Sequence, residues 1–436
     1  MVEKEVVILA VLISFTILFL ILIAVSVPIG FALGIATLVG FVATDGPLDL
    51  FAQRLWTGLD SFSLIAIPFF ILAGELMGGS GILQRLLDFA KLLLGRIKGS
   101  LLYINIFVSM LFGGINGSAI ADTSAVGSML IPGTKKEYKD GEIVAAVTAT
   151  SSVVGPIIPP SLPMLIYAFA AANVSVAGLF LAGIVPGIIL GLSLIVVTYI
   201  LLRKKDYPQD KTKYTFKDVL IILRRFSIAV ILPVIIVVGI TAGIVTPTEA
   251  GCLGIIYALV IGFFVTKELT MKSLYDALLR TVIVTSIVMI LISIGNVMTW
   301  WISIEGIPTM VSSLFQSMTS SAVVFLLLML ALYLFVGLFI EQAAAMIMLV
   351  PIFAPMAVSY GIDPIHFGLF TVMALGFGLV TPPVGLCLFV ASTIAKVPVQ
   401  RVFVVSIPYL IAMFIVLLMM TLFPPIYMWV PRLFGF

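Results

Sequence analysis

Long stretches of this chain are apolar on every side, with short polar breaks between them. Val7–Val25 and Val323–Leu338 show no alternation of apolar and polar positions. A membrane strand would alternate over about ten residues, whereas a spanning helix needs roughly 20 mostly apolar residues. The pattern predicts an all-α polytopic membrane protein. Spans are expected near 5–26, 29–44, 60–78, 142–170 and 177–201, and again near 227–245, 249–266, 281–300, 368–394 and 403–423. Stretches near 82–97 and 306–318 are amphipathic and belong in the interface.

Two segments do not fit this series. Residues 100–131 are too many for one comfortable crossing and too few for two, and cations flank both ends: Arg96 and Lys98, then Lys135, Lys136 and Lys139. The economical reading is a re-entrant hairpin with its tip at Gly113–Ser118, where Gly and Asn supply the turn. A single long tilted helix is the competing one. Residues 322–354 form the counterpart, with a tip around Gly337–Gln342.

The chain also repeats itself. Pro28 with Leu33-Gly34-Ile35 recurs as Pro247 with Leu253-Gly254-Ile255, and Leu111–Pro132 recurs as Leu334–Pro351, with Glu341 expected in the place of Asp122. Gly155 with Pro159-Pro160 recurs as Gly378 with Pro382-Pro383, and Ile184-Val185-Pro186 recurs near Ser406-Ile407-Pro408. The offsets are all close to 220 residues and keep their order. Lys and Arg collect in cytoplasmic loops, and equivalent loops carry opposite signatures. The cations around 100–131 have no counterparts at Gln316–Ser321 or Ser359–His366, while Lys267, Lys272 and Arg280 stand opposite the acidic Asp45–Asp49. The expectation is an inverted repeat of two five-span halves, each with a re-entrant hairpin and a broken helix. The polar stretch Arg203–Arg225, with Lys204, Lys205, Lys211, Lys213, Lys217 and Arg224, reads as a cytoplasmic linker, which places both termini outside.

Composition sharpens this picture. Hydrophobic residues make up 62% and charged residues only 10%, with mean hydropathy +1.30. A soluble domain carries about 25% charged residues, so soluble enzymes, nucleic-acid binders and disordered scaffolds are excluded. The net charge of +3 is ordinary. Cys252 and Cys387 lack metal-ligand spacing and read as buried, inert thiols. Residues 6–25 lack a cleavage site and read as a retained first helix. His366 is expected in an outer loop, Trp300 and Trp301 at the membrane–water interface, and Gly183, Gly187 and Gly191 on a packing face. Asn173-Val174-Ser175 matches a glycosylation sequon.

Irregular backbone at membrane depth is tolerated only where it is buried in protein or lines a cavity. Gly155–Pro163 and Gly376–Gly385 each fall inside an apolar span, and proline breaks a helix by removing an N–H and clashing with the preceding turn. Such breaks free carbonyls for a small cation and expose helix N-termini to an anion. The oxygen donors nearby suit Na⁺: Asn116, Ser118, Asp122, Thr123 and Ser124 in the first hairpin; Thr150, Ser151, Ser152 and Ser161 in its broken helix; Glu341, Gln342 and Thr381 in the second half. An intramembrane acid is a functional candidate by default. For Asp122 that reading stands beside a structural cap, and for Glu341 the cap is favoured.

The hairpin with Asn116-Gly117-Ser118, Pro159-Pro160 and Thr381-Pro382-Pro383 in two opposed halves resembles the large membrane subunit of tripartite ATP-independent periplasmic (TRAP) transporters. The resemblance covers essentially the whole chain. It implies Na⁺-driven uptake of an organic acid, such as a sialic acid or a C4-dicarboxylate, across the bacterial inner membrane by an elevator mechanism. It also implies two partners, a periplasmic substrate-binding protein and a small four-helix membrane subunit. The chain opens at the first large-subunit span, so the small subunit is expected as a separate polypeptide. Residues 1–78 and 227–300 would be scaffold, 79–201 and 301–436 the moving transport domain, and 202–226 the linker. By resemblance, one Na⁺ site joins Asn116 and Ser118 to Gly155, Ile158 and Ser161, and a second joins Gly337 and Gln342 to Gly378, Thr381 and Gly385. The substrate is expected near Asn116, Ser118, Asp122 and Thr381.

A self-sufficient Na⁺/dicarboxylate elevator carrier would share the hairpin design and remains the main alternative. A passive channel is a more distant one. An intramembrane zinc protease would need H-E-x-x-H, which one histidine cannot supply, and no G-x-x-x-x-G-K-[ST] motif indicates an ATPase.

Overall fold

The computed structural model describes residues 2–172, 174–203, 207–209, 212 and 214–436. The sequon Asn173 and the linker cations Lys204, Lys205, Lys211 and Lys213 lie outside the described residues. Among the described residues every regular element is a helix. Seven helices are long and apolar enough to cross a membrane unaided, and the span over 141–170 is bent by 48° at its break.

The first half opens with α1 (Val2–Ala24), α2 (Ile29–Ala43), α3 (Leu48–Thr57), α4 (Ala66–Gly79) and α5 (Ile82–Leu94). Then follow α6 (Ser100–Asn116), α7 (Ala119–Tyr138), α8 (Gly141–Ser152), α9 (Leu162–Ala170) and α10 (Val176–Leu202). The second half repeats the order with α11 (Phe216–Thr241), α12 (Pro247–Val260), α13 (Met271–Ile304) and α14 (Ile307–Met318). It continues with α15 (Ala322–Gly337), α16 (Gln342–Ser359), α17 (Pro364–Phe377), α18 (Leu386–Ala395), α19 (Val399–Leu422) and α20 (Pro425–Leu433).

Local chemistry sets the starts of these helices. Thr215 with Asp218, Thr246 with Glu249 and Thr270 with Ser273 form reciprocal capping boxes at α11, α12 and α13, which satisfy N–H groups that have no partner within the helix. The Thr270 box explains why α13 starts ten residues before the expected span. Its first turns carry Lys272, Asp276 and Arg280, which hydropathy alone places outside the membrane. Likewise α7 continues past 131 through Pro132 to Tyr138. Two short helices, α3 and α20, were not expected; both are amphipathic and too short to span.

The helices fall into two groups that also meet through α4 with α6, α13 with α16 and α10 with α11. In the first, α4 lies against α12 and α13, and α2 and α3 lie against α13. Trp301 is buried here and its Nε1 donates to Thr44 Oγ1 at 3.0 Å, while Trp300 lies under the Arg54 guanidinium at 5.1 Å. Trp301 is therefore packed in the interior rather than exposed as an interface anchor. Much of α11 and α13 presents Ile and Val outward, as at Val234, Val238, Ile283 and Ile287, as a lipid-facing surface does. The second body gathers α6 to α10 with α15 to α20, and α16 lies along α9. The glycine face of α10 packs as its spacing predicts: Gly183 meets the Ile157 carbonyl, Gly187 the Ile158 side chain and Gly191 Met110.

Two further expectations change. Cys252 is exposed on α12, whereas Cys387 is buried. His366 is in the first turn of α17, not a loop; Asp363 caps that helix, and His366 Nδ1 shares a hydrogen bond with the Tyr427 hydroxyl. The ring is buried because α20 folds over it.

Candidate functional site

Both hairpin tips and both helix breaks lie in the second body, and small residues set how closely they approach. At the first tip α6 ends on Asn116, Gly117 turns with φ +66°, and Ser118 opens α7. Asn116 Oδ1 accepts from Ser118 N at 2.8 Å and Ser118 Oγ accepts from Ala121 N at 3.4 Å. The turn is thus closed by its own side chains. A Cβ on Gly117 would stand 2.9 Å from Leu162 N, and one on Gly114 3.4 Å from Ile158 O. The tip therefore rests on the break of its own half, Gly113 against Gly155, Gly114 against Ile158 and Pro159, and Gly117 against Leu162, while the Asn116 backbone meets Gly74 of α4.

That break has a definite shape. Beyond Ser152 the chain tightens into a 3₁₀ turn at Gly155–Ile157, passes a cis Pro159-Pro160 peptide, and restarts as α9. Ser161 Oγ accepts from Met164 N at 3.3 Å and donates to the Pro156 carbonyl. The carbonyls of Ile158 and Pro159 accept no hydrogen bond from any described residue. They are oxygen donors of the kind a hard cation takes.

The second half repeats this geometry. A 3₁₀ turn at Gly378–Val380 and a cis Pro382-Pro383 peptide precede α18. Val384 N donates to Leu338 O at 3.3 Å, which ties the second tip to its break. Gly337 crosses Gly378 backbone to backbone, as Gly113 crosses Gly155. Thr381 Oγ1 donates to Phe377 O at 2.8 Å, and a Cβ on Gly385 would stand 3.3 Å from Thr381 O. Gln342 is buried, with Nε2 2.8 Å from Val372 O.

These crossings correct one part of the repeat alignment. Glu341 caps α16 by accepting from Ala343 N at 2.9 Å and Ala344 N at 3.2 Å, so its structural counterpart is the α7 cap, Ser118. Asp122 then falls on Ala345. Hydropathy aligned acid with acid; capping aligns helix start with helix start.

Between the tips lies a cavity of about 60 Å³, lined at Ser118 and Ala119 by the start of α7, at Leu162 and Pro163 by α9, and at Glu341 and Gln342 by α16. Three helix N-termini open on one space, and each carries a partial positive charge that favours an anion. Since about 10–15 Å³ of such space holds one water, the cavity has room for a few waters or an acid's carboxylate. Ser118 and Gln342 line it; Asn116, Asp122 and Thr381 do not. The helix N-terminus expected at the Gly155–Pro163 break is that of α9, but its residues Leu162 and Pro163 were not among the expected substrate residues, although Ser161 followed by Pro163 is a legible helix start.

Against known proteins, residues 16–426 match the family model described as the tripartite ATP-independent periplasmic transporter, DctM component. The chain belongs to this family. It is 36% identical over 410 residues to the sialic acid TRAP transporter large permease protein SiaM of Vibrio cholerae, covering 93% of this chain and 95% of that one. It is 35% identical over 384 residues to the C4-dicarboxylate TRAP transporter large permease protein DctM of Pseudomonas aeruginosa, covering 88% and 90%. Among solved structures, the YdaH transporter of Alcanivorax borkumensis shares the fold, with TM-score 0.59 at 15% identity over 87% of this chain and 89% of that one. This TRAP large permease is a membrane transport protein and not an enzyme.

Proposed function

We propose that this large permease takes up an organic acid, driven by Na⁺, across the inner membrane. It receives the substrate from a periplasmic binding protein and works beside a small four-helix membrane subunit. The observation that carries the reading is the cavity where both hairpin tips meet under three helix N-termini. Relatives are named for a sialic acid, isethionate, 2,3-diketo-L-gulonate and a C4-dicarboxylate, which are all organic anions. The three helix N-termini on this space suit an anionic group, beside the Glu341 carboxyl that caps α16.

Na⁺ would be held where each tip meets its break: by Asn116, Ser118, Gly155, Ile158 and Ser161 in one half, and by Gly337, Gln342, Gly378, Thr381 and Gly385 in the other. The unpaired carbonyls beside Ser161 supply ligands without any side-chain charge. Two Na⁺ moving with a monovalent anion carry one net positive charge inward, worth about 2.3 kcal/mol per 100 mV, before any contribution from the Na⁺ gradient.

The two bodies suit an elevator. The α1–α4 and α11–α13 body would be the fixed scaffold, and the body holding both tips would move, with α5 and α14 as arms. The opposed loop charges support an inverted arrangement of the halves, with both termini periplasmic.

Uptake into proteoliposomes containing this chain and its small subunit tests the proposal. Labelled organic acid should accumulate only with the cognate binding protein outside and an inward Na⁺ gradient. Equal uptake without the binding protein would favour a self-sufficient carrier, and equal uptake in choline would refute Na⁺ coupling.

A further inference from the structure

Among the described residues, Asp122 is the one acid whose carboxylate is buried with no partner. The residue is fully buried, and neither Oδ1 nor Oδ2 has a hydrogen-bond partner there. No described Lys, Arg or His acts on it. Leaving a carboxylate unpaired in a low-dielectric interior is strongly unfavourable. Unlike Glu341 it does not cap a helix, since Ser118 already caps α7.

Its surroundings are polar and assembled from three helices. Asp122 lies near the hydroxyls of Ser109 on α6 and Ser152 on α8 and the thiol of Cys387 on α18, none of which closes a hydrogen bond to it. Both serines are buried. Ser152 Oγ donates to Thr148 O at 2.8 Å, which leaves its lone pairs free. Ser109 is held by Ser151 Oγ at 3.2 Å, and behind it Asn105 Nδ2 donates to Thr148 Oγ1 at 2.6 Å. Ser109 and Ser152 lie about one turn before Gly113 and Gly155, so the glycine crossing that builds the first tip also brings these hydroxyls together. In the register of that crossing, the second half has Tyr333, Leu375 and Ala345 at the three positions. The cluster therefore belongs to the first half alone.

We propose that Asp122, Ser109 and Ser152 form a separate binding site for a monovalent hard cation, Na⁺, between α6, α7 and α8. Two hydroxyl oxygens and a carboxylate are hard donors, and one negative charge balances one monovalent ion. The site lies behind the first tip and is distinct from the ligand set assigned above to Asn116, Ser118 and the Gly155–Ser161 break. Its occupation would neutralise a buried acid one turn beyond the Ser118 cap that lines the anion cavity, so that cation and substrate support one another.

The test is ²²Na⁺ binding to the purified complex of this chain with its small subunit, together with Na⁺-dependent thermal unfolding. Asp122→Asn should bind one Na⁺ fewer than the native complex and gain less melting temperature from Na⁺. The double variant Ser109→Ala/Ser152→Ala keeps the charge and should retain the stoichiometry while weakening one class of site about tenfold or more. Ser118→Ala should instead affect the tip site and leave the Asp122 class unchanged, so failure of the tip reading is separable from failure of this one. The proposal is overturned if Asp122→Asn and the double variant both bind as many Na⁺ as the native complex with the same affinity. It is equally overturned if the native complex takes a proton at Asp122 and its melting temperature follows pH with no response to Na⁺.

Discussion

Replacing Gly155 with alanine tests whether the backbone crossing really holds tip and break together. A Cβ at Gly155 would stand 3.0 Å from the Gly113 carbonyl carbon and 3.3 Å from its oxygen, and closer still to Gly113 Cα. Ordinary carbon contacts lie at about 3.5–4.0 Å, so the segments must part by roughly 0.5–1 Å. Both sides of the contact are backbone, and no rotamer change can absorb the clash. Overpacking of this kind costs about 1–3 kcal/mol. The displacement would also carry Gly114 and the tip beyond it away from Ile158 O, so Na⁺ affinity should fall with stability. Gly133 in α7 is the control. A Cβ there meets nothing within 4 Å, and alanine in a helix gains about 0.5–1 kcal/mol. Thermal unfolding of the purified complex across a Na⁺ titration reads both quantities. A Gly155→Ala protein that melts with the native one and keeps its Na⁺ half-saturation would refute the reasoning.

Gly378→Ala should behave like Gly155→Ala, because it meets Gly337 in the same way; a loss confined to one half would show that the crossings are not equivalent. Ser118→Ala removes a helix cap worth about 1 kcal/mol and a proposed Na⁺ ligand, so the Na⁺ half-saturation of uptake should rise. Thr381→Ala should raise it as well, and unchanged Na⁺ titrations in both variants would remove these residues from the sites. Glu341→Gln keeps an acceptor for Ala343 N and Ala344 N, and should melt closer to the native protein than Glu341→Ala, which loses about 0.5–2 kcal/mol. Equal melting of the two would argue against capping as its role.

The broken spans were readable because proline and glycine clusters inside an apolar segment prevent a continuous helix from forming there. The tip at Asn116-Gly117-Ser118 was readable because its turn chemistry is local. Helix lengths were less so. The capping box at Thr270 starts α13 among charged residues, before hydropathy would begin it, and α7 passes Pro132, where hydropathy ends it too early. The Glu341 register failed because charge resemblance outweighed capping logic. The Asp122 cluster was not legible as a unit, since Ser109 and Ser152 are far apart in the chain and meet only through the crossing of Gly113 and Gly155. Tertiary packing likewise moved Trp301 and His366 from the expected surface to the interior.

The transport scheme rests most heavily on two halves that enter the membrane from opposite sides. Lys136 and Ser359 occupy equivalent positions at the ends of α7 and α16, and both are exposed. With Cys252 and Cys387 replaced, single cysteines at the two positions can be probed with an impermeant maleimide in intact cells and in inverted vesicles. Ser359→Cys should react from outside and Lys136→Cys only from the cytoplasmic face. Labelling of both from the same side would contradict the inverted pair of hairpins and the uptake mechanism built on it.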